Sequence, residues 1–288
     1  EFELAITIDR PELYYDFLQK DWTRFCHDYW KNNFLEHHTL SKKRVTRIYI
    51  GNQFCHNLFP RKKLLFQVLE KALENNLAVT LAFSYIRNHL LEEIDELLQE
   101  LEVWCQSREK EAGKDQEEII VNDWAMPILL QGKPHLKPVL GVLLNKRRKD
   151  VRLPYKHGIG NHVDSLAENN LNCGFYQDYL KNTFDIQRFE FESCGYKVTI
   201  PDGHHSLHLP FFQTNTSQYC TLYAVCRYGD RGKQKLPENC PRYCNKKVFL
   251  YPKHLKMVGR YNSLFALDSR IFDNDPGPGS GTENEVGT

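Results

Sequence analysis

Short apolar, β-branched runs alternate with longer amphipathic stretches along this chain, and that alternation limits its fold more than any other feature. "ELAITID" (3–9), "RVTRIYIG" (44–51), "LAVTLAFSYI" (77–86), "EIIVND" (118–123) and "PVLGVLLN" (138–145) read as strands. Between them, "RPELYYDFLQKDWTRFCHDYWKN" (10–32), "RKKLLFQVLEKALENN" (61–76) and "LLEEIDELLQELEVWCQSREKEAG" (90–113) carry apolar residues at helical spacing. Pro60 suits the first turn of the second helix and Gly113 the end of the third. Strand–helix–strand order with short buried strands predicts an α/β fold around a parallel sheet. Further on, "YQDYLKNTF" (176–184) reads as helix, and "IQRFEFES" (186–193), "GYKVTIPD" (195–202), "KVFLYP" (247–252) and "SLFALDSR" (263–270) read as short strands. Residues 273–288, "DNDPGPGSGTENEVGT", predict a disordered tail.

Polar residues follow directly on several of these strands: Gly51 and Asn52, Ser84, Asn122 and Asp123, Asn145 and Lys146, and Glu192. A parallel barrel and an open doubly wound sheet both gather such strand ends on one side, where α/β enzymes place their sites. Neither G-x-G-x-x-G nor G-x-x-x-x-G-K-[ST] occurs, which argues against dinucleotide or P-loop chemistry. A net charge of +1 exerts no overall pull toward nucleic acid or membrane, although basic residues cluster in "PRKK", "NKRRKDVR" and "RYGDRGKQK". No apolar run approaches the length of a membrane span, and the first residues lack the basic-then-apolar order of a secretory signal. A cytoplasmic or similarly reducing location is expected.

In that setting clustered cysteines signal metal or redox chemistry rather than disulfides. Four of the nine cysteines fall in "QYCTLYAVCRYGDRGKQKLPENCPRYCNKK" (218–247), spaced C-x5-C-x13-C-x3-C as Cys220, Cys226, Cys240 and Cys244. The C-x3-C pair fits one face of a helical turn. Structural zinc usually uses C-x2-C pairs, so the spacing leaves an iron–sulfur cluster, zinc and no metal all open. The surrounding Arg227, Arg231, Lys233, Arg242, Lys246 and Lys247 would suit an anionic cluster or simply face solvent. Cys26, Cys55 and Cys105 stand alone and read as small buried hydrophobes, with Cys173 and Cys194 in reserve.

Elsewhere, Asp123 is a candidate general base or the cap of the helix after it. Asn145, Lys146 and Arg152, at the end of an apolar strand, suit a carboxylate, a phosphate or an RNA backbone, or form a solvated turn. Glu190 and Glu192 share one strand face, and Glu192 is a candidate acid or base if that face points inward. His204 and His208 lie four apart, but Pro201, Gly203 and Pro210 disfavour the helix that a zinc-binding pair would need.

The segments "IYIGNQF", "VTLAFSY", "EIIVNDWAM", "VLGVLLNKRRKDVR", "DIQRFEFES" and "LHLPFFQTNTSQYC", in this order and followed by the paired cysteines, resemble the collagenase-like proteins, family 32 of the unassigned ("U") peptidases. The resemblance spans roughly residues 44–270 and is nearest to the branch holding the ubiquinone-precursor and RNA hydroxylation proteins. It implies a TIM-like (β/α) barrel, incomplete or distorted, with a C-terminal cysteine-rich region binding a 4Fe-4S cluster, zinc being the alternative. Residues 1–272 would then form one domain. Cys220 matches the cysteine after the aromatic-Thr segment, Cys240 and Cys244 match the closing pair, and Cys226 is taken as the fourth ligand because it lies nearest. Some members draw their fourth cysteine from elsewhere in the chain, so Cys194 or Cys173 could substitute. Implied with the family are oxygen-independent hydroxylation of a small aromatic molecule or an RNA base, prephenate as an oxygen donor for some members, and a heteromeric partner from the same family. Asn52, Asn122, Asn145, Lys146 and Arg152 become expected substrate contacts, and Asp123 and Glu192 expected catalytic groups. A peptidase and a metal-stabilised scaffold subunit are the alternatives.

Overall fold

The computed structural model describes residues 2–112, 116–152, 167–233, 235–237 and 239–272; the Gly113 helix end and the tail lie outside them. Its centre is a five-stranded parallel sheet in sequential order: β1 (Leu4–Ile8), β2 (Val45–Gly51), β3 (Ala78–Ala82), β4 (Glu117–Val121) and β5 (Leu136–Leu140). Each strand is followed by a crossover that puts its successor alongside in parallel, as short apolar strands separated by amphipathic helices require. The pleat sorts the side chains. Ile48, Ile50, Val79, Leu81, Ile119 and Val121 pack under the helices, while Tyr49, Ala82, Ile120 and Val139 form a second cluster on the opposite face.

The helices behave as their patterns dictate. α3 (Lys62–Glu74) buries Leu65, Val68, Leu69 and Ala72, spaced three, one and three residues apart along a single stripe. The stretch expected as one helix over 10–32 is two, α1 (Pro11–Gln19) and α2 (Trp22–Asn32). Asp21 makes the break by leaving helical geometry and accepting from the Arg24 N–H at 2.9 Å, which caps α2. α4 (Leu91–Ala112) and the short α5 (Ala125–Leu129) complete this layer.

Past β5 the chain keeps its parallel sense. The Leu140 N–H donates to the Arg188 carbonyl at 2.9 Å, and a parallel bridge joins Leu140 to Phe189. After α6 (Gly174–Phe184), β6 (Glu190–Glu192) therefore starts beside β5, and β7 (Ser206–His208) pairs with β6 in parallel. In a flat sheet β2 and β7 would stand about five strand spacings apart, roughly 24 Å. The Tyr49 hydroxyl nevertheless meets Ser206 Oγ at 2.8 Å and donates to Glu190 Oε1 at 3.0 Å. The strands are strongly curled, with Tyr49 on the concave side.

A four-stranded antiparallel sheet, β8 (Phe211–Thr216), β11 (Ser263–Leu267), β10 (Met257–Arg260) and β9 (Phe249–Leu250) in that order, follows in the chain. α7 (Thr221–Tyr228) lies between β8 and β9. The expected strand at 195–202 is absent, and the "PVLGVLLN" strand stops at Leu140, where Gly141 starts a turn that accepts the Leu144 and Asn145 N–H groups. No helix among the described residues is long and apolar enough to cross a membrane.

Candidate functional site

Two cavities meet at Tyr85. The larger is an open cleft of about 750 Å³ at the C-terminal ends of β3, β4 and β5, walled on the far side by Gln213, Thr214 and Thr216 of β8 and Met257 of β10. The smaller is more enclosed and lined by Cys55, Cys220, Cys240 and Cys244 with His56, Arg87 and Tyr261. Tyr85 lines both. Its hydroxyl donates to the Ser217 carbonyl at 3.1 Å and accepts from Asn262 Nδ2 at 3.0 Å, so the ring is fixed between the loop after β3 and the antiparallel sheet.

Cys55 reaches the smaller cavity through a local device at the end of β2. Gly51 adopts φ +114, which an L side chain rarely takes, and a Cβ there would lie 2.5 Å from the Ala82 carbonyl oxygen. Asn52 Oδ1 then accepts from the Phe54 and Cys55 N–H groups, both at 2.9 Å, while its Nδ2 donates to the Asp9 carbonyl at 3.3 Å. The Tyr14 hydroxyl holds the far end of the same loop by donating to the Leu58 carbonyl at 3.0 Å. Cys220 caps α7: its Sγ accepts from the Tyr223 N–H at 3.3 Å and donates to the Tyr261 carbonyl at 3.0 Å. Cys244 is buried in a single turn of 3₁₀ helix, Tyr243–Asn245.

Burial pushes the Cys55 thiol up to about 12, and Cys220, Cys240 and Cys244 add to the shift. Cys244 is pushed up to about 11 by burial and then by Cys240 and Cys220, with Arg260 opposing. Cys226 acts on Cys220 but does not line the cavity; it sits on α7 and packs, with Cys55 and Cys220, against the cluster of Leu58, Leu222, Cys244, Tyr261 and Phe265. Cys194 is buried elsewhere, where it accepts from Arg147 Nη2 at 2.6 Å, and Cys173 is exposed at the start of α6. Cys55, rather than Cys226, lines the cavity beside Cys220, Cys240 and Cys244.

Four thiols are a donor set suited to soft metals and iron–sulfur clusters. Among the described residues, no three His, Cys, Asp or Glu side chains converge closely enough to hold a single metal ion. A zinc ion needs its sulfurs about 2.3 Å from one point, whereas a polynuclear cluster holds its thiolates apart at separate corners. The cavity that the four thiols line has a volume of about 20 Å³, room for about one water molecule, and does not fit a cluster as it stands. The cations close to it also differ from those expected. Arg87 lines the cavity, whereas Arg231 lies over the Phe249 and Tyr251 rings and Lys247 over Tyr243.

In the cleft, Asn122 is buried and anchored three ways: Nδ2 donates to the Phe83 carbonyl at 2.9 Å and to Gln53 Oε1 at 3.2 Å, and Oδ1 accepts from the Leu143 N–H at 3.0 Å. Asp123 accepts from the Ala125 N–H at 2.8 Å in the turn before α5, whose N-cap is Trp124, and Asn122 rather than Asp123 lines the cleft. Asn145, also buried, donates to the Glu190 carbonyl at 3.0 Å, and its Oδ1 has no partner. Lys146 donates to the Leu143 carbonyl at 2.5 Å, and Arg152 pairs with Asp150. Both line the cleft. Glu192 does face inward, but it is ion-paired to Lys149 and accepts from the Gln213 N–H at 2.8 Å. Asn52 lines neither cavity; its amide builds the turn that presents Cys55.

Behind the cleft, the concave face of the curled sheet holds a polar cluster that sequence reasoning did not assemble. Glu190 is fully buried between Tyr49 and His208, Arg188 donates to Tyr49, Ser206 and Glu118, and Gln53 links His208 to Asn122. His208 is raised and Glu190 lowered against their burial, each by the other's charge. Cys55, Tyr85 and Arg87 were also missed. Cys55 was readable in principle, since it follows the strand-ending Gly51–Asn52 turn, whereas nothing in "FSYIRN" singles out Tyr85 or Arg87.

Comparison with protein-family models, with curated proteins and with solved structures finds no match for the chain.

Proposed function

We propose that this chain is an iron–sulfur enzyme of the collagenase-like peptidase family, nearest the ubiquinone-precursor and RNA hydroxylation branch. In this reading Cys55, Cys220, Cys240 and Cys244 hold a 4Fe-4S cluster, and the substrate is a small aromatic molecule or an RNA base. The observation that carries it is the shared Tyr85 wall: four thiols line one side, and a cleft at the parallel strand ends opens on the other. A cluster held there by these cysteines would supply single electrons. The sequential parallel strands, and the reach of Tyr49 to β6 and β7, support an incomplete TIM-like (β/α) barrel as the framework.

The residues of the cleft divide the work. Lys146 and Arg152, on the cleft wall, hold an anionic group on the donor or substrate. Asn145 Oδ1, buried and unpartnered, accepts from a hydroxyl or amine of the same ligand. Asn122, held rigid from three sides, fixes the floor. Oxygen-independent hydroxylation balances as a transfer from a hydroxylated organic acid. The donor's C–O bond breaks and its carbon takes a hydrogen; the substrate's C–H becomes C–OH, and two electrons pass from substrate to donor. A cytoplasmic setting and a partner from the same family belong to this reading. Trp124, Ile128, Phe175 and Tyr179, exposed on α5 and α6 and the turn before α5, offer that partner an apolar face.

Calorimetric titration with prephenate, a hydroxylated dicarboxylate, tests the cleft. Saturable binding that weakens about tenfold in Lys146→Ala, roughly 1.4 kcal/mol, supports the proposal. No binding, together with RNA affinity that falls steeply with salt, would move the substrate to RNA. Peptide hydrolysis by metal-free protein would replace the proposal with the peptidase reading.

A further inference from the structure

Strand β9 is a free edge of the antiparallel sheet: among the described residues it pairs with β10 and with no other strand. Its register sets Phe249 opposite Gly259 and Leu250 opposite Val258. Phe249 turns inward onto the cluster of Leu222, Tyr261 and Phe265, and Gly259 leaves room for its ring, since a Cβ there would lie 2.0 Å from Phe249 Cε2. Side chains alternate along extended chain, so Val248 and Leu250 turn outward; they are 48% and 77% exposed. Single exposed apolar residues are ordinary. Two together on the outer side of a free edge are not, because sheet edges are normally covered or blunted by charge.

The chain around this edge carries one sign of charge. From Asn239 to Leu267 stand Arg242, Lys246, Lys247, Lys253, Lys256 and Arg260, and no Asp or Glu. Lys246 and Lys247 come directly before Val248. Lys253 and Lys256 lie in the turn that leads from β9 to β10, which the Tyr251 N–H closes by donating to the Met257 carbonyl at 3.3 Å. These four lysines are exposed, and none is ion-paired to a carboxylate among the described residues. Two protruding aliphatic side chains are thus flanked on both sides by uncompensated positive charge.

We infer that the β9 edge docks this protein on the surface of an anionic phospholipid bilayer, with Val248 and Leu250 entering the headgroup layer and Lys246, Lys247, Lys253 and Lys256 meeting lipid phosphates. Apolar burial and attraction to anionic lipid are the two contributions that hold a protein at such a surface, and this edge offers both. The chemistry also separates a bilayer from RNA, the other polyanion. Single-stranded RNA stacks its bases on open aromatic faces. Here Arg231 lies 5.1 Å from the Phe249 ring centre and 5.9 Å from that of Tyr251, and Lys247 lies 5.9 Å from that of Tyr243, so cations cover the nearby rings. Valine and leucine tips offer nothing to a base or a phosphate, whereas lipid accepts them. Tyr251, next to Leu250, also lines the cleft, so docking through β9 brings the rim of the cleft to the lipid. The inference depends neither on a cluster at the thiols nor on a ligand in the cleft.

The test is flotation of the whole chain with vesicles of phosphatidylcholine alone and of phosphatidylcholine mixed with phosphatidylglycerol, at low and high salt. Wild type should float with the mixed vesicles, less so at high salt, and stay behind with phosphatidylcholine alone. Leu250→Ser should weaken partitioning about tenfold. The double variant Lys246→Gln, Lys247→Gln should weaken it roughly 25-fold, at about fivefold for each lysine. Lys62→Gln, which removes a lysine paired with Glu100 on the helical layer, should leave it unchanged. All these positions are exposed, and circular dichroism checks that each variant is folded. Wild type that does not float with mixed vesicles would overturn the inference, as would undiminished flotation of both the Leu250 and the double lysine variants. Binding of single-stranded RNA that the double lysine variant loses, without flotation, would put RNA in place of the bilayer. Self-association that Leu250→Ser abolishes, again without flotation, would put a second copy of the chain there instead.

Discussion

Asn262 Nδ2 donates to the Tyr85 hydroxyl at 3.0 Å and to the Ser217 carbonyl at 2.6 Å, and so ties the loop after β3 to the antiparallel sheet. Tyr85 itself donates to that Ser217 carbonyl at 3.1 Å, which closes a three-membered network between the two cavities. Tyr85→Phe keeps the ring and removes the hydroxyl, while Asn262 retains Ser217 as an acceptor. The expected cost is about 1 kcal/mol, the net worth of an ordinary hydrogen bond, measured by urea denaturation. An unchanged midpoint would mean that the network does not help hold the sheets together.

Gly141 lies against Asn122. A Cβ at position 141 would fall 2.1 Å from Asn122 Oδ1 and 2.7 Å from Ile120 Cγ2. Gly141→Ala should therefore drive the Asn122 amide off the Leu143 N–H and destabilise the fold by about 1–3 kcal/mol. Prephenate binding should weaken in the same variant, which calorimetry on the folded protein would register.

The Lys149–Glu192 ion pair is almost fully buried, with side-chain exposures of 10% and 3%. Lys149→Met leaves the carboxylate, among the described residues, with the Gln213 N–H as its donor, at an expected cost of about 3 kcal/mol. The double variant Lys149→Met, Glu192→Gln removes the stranded charge and should recover part of that loss. Equal destabilisation of the single and double variants would show that the pair's charge is not what holds this corner.

His208 and Glu190 give the fold a pH window. The Glu190 carboxyl is lowered from 4.5, against its own burial, by His208 and then by Arg188 and Tyr49, so its contribution is present above about pH 4.5 and is lost as pH falls through the lowered value. The His208 imidazole is raised from 6.5, again against burial, by Glu190, so its contribution is present below about pH 6.5 and is lost as pH rises through the raised value. The stability difference between wild type and His208→Gln should therefore be greatest between about pH 4.5 and 6.5 and shrink on both sides. A difference independent of pH across that range would mean that the pair is not ionised in the folded protein.

What could be read in advance follows physical lines. The five strands of the parallel sheet were legible because each is an apolar, β-branched run covered on both faces, a pattern that survives without knowledge of its neighbours. β7, with the sequence Ser-Leu-His, and β10, Met-Val-Gly-Arg, carry no such signal and are strands only because partners pair with them. The chemistry divides in the same way. Cys220, Cys240 and Cys244 stood out by local density, and the cavity gathers all three. Cys226 shared that density but sits on α7 and does not line the cavity. Cys55 lies far away in sequence, and only the crossover that brings the end of β2 against the antiparallel sheet unites it with the others. Local spacing cannot encode a contact made by topology.

Iron and sulfide content of anaerobically purified Cys55→Ala and Cys226→Ala, measured beside wild type, tests the central claim most directly. The account predicts iron and sulfide in similar amounts in wild type, the same in Cys226→Ala, and loss of both in folded Cys55→Ala. Full loading of Cys55→Ala, or loss confined to Cys226→Ala, would contradict it.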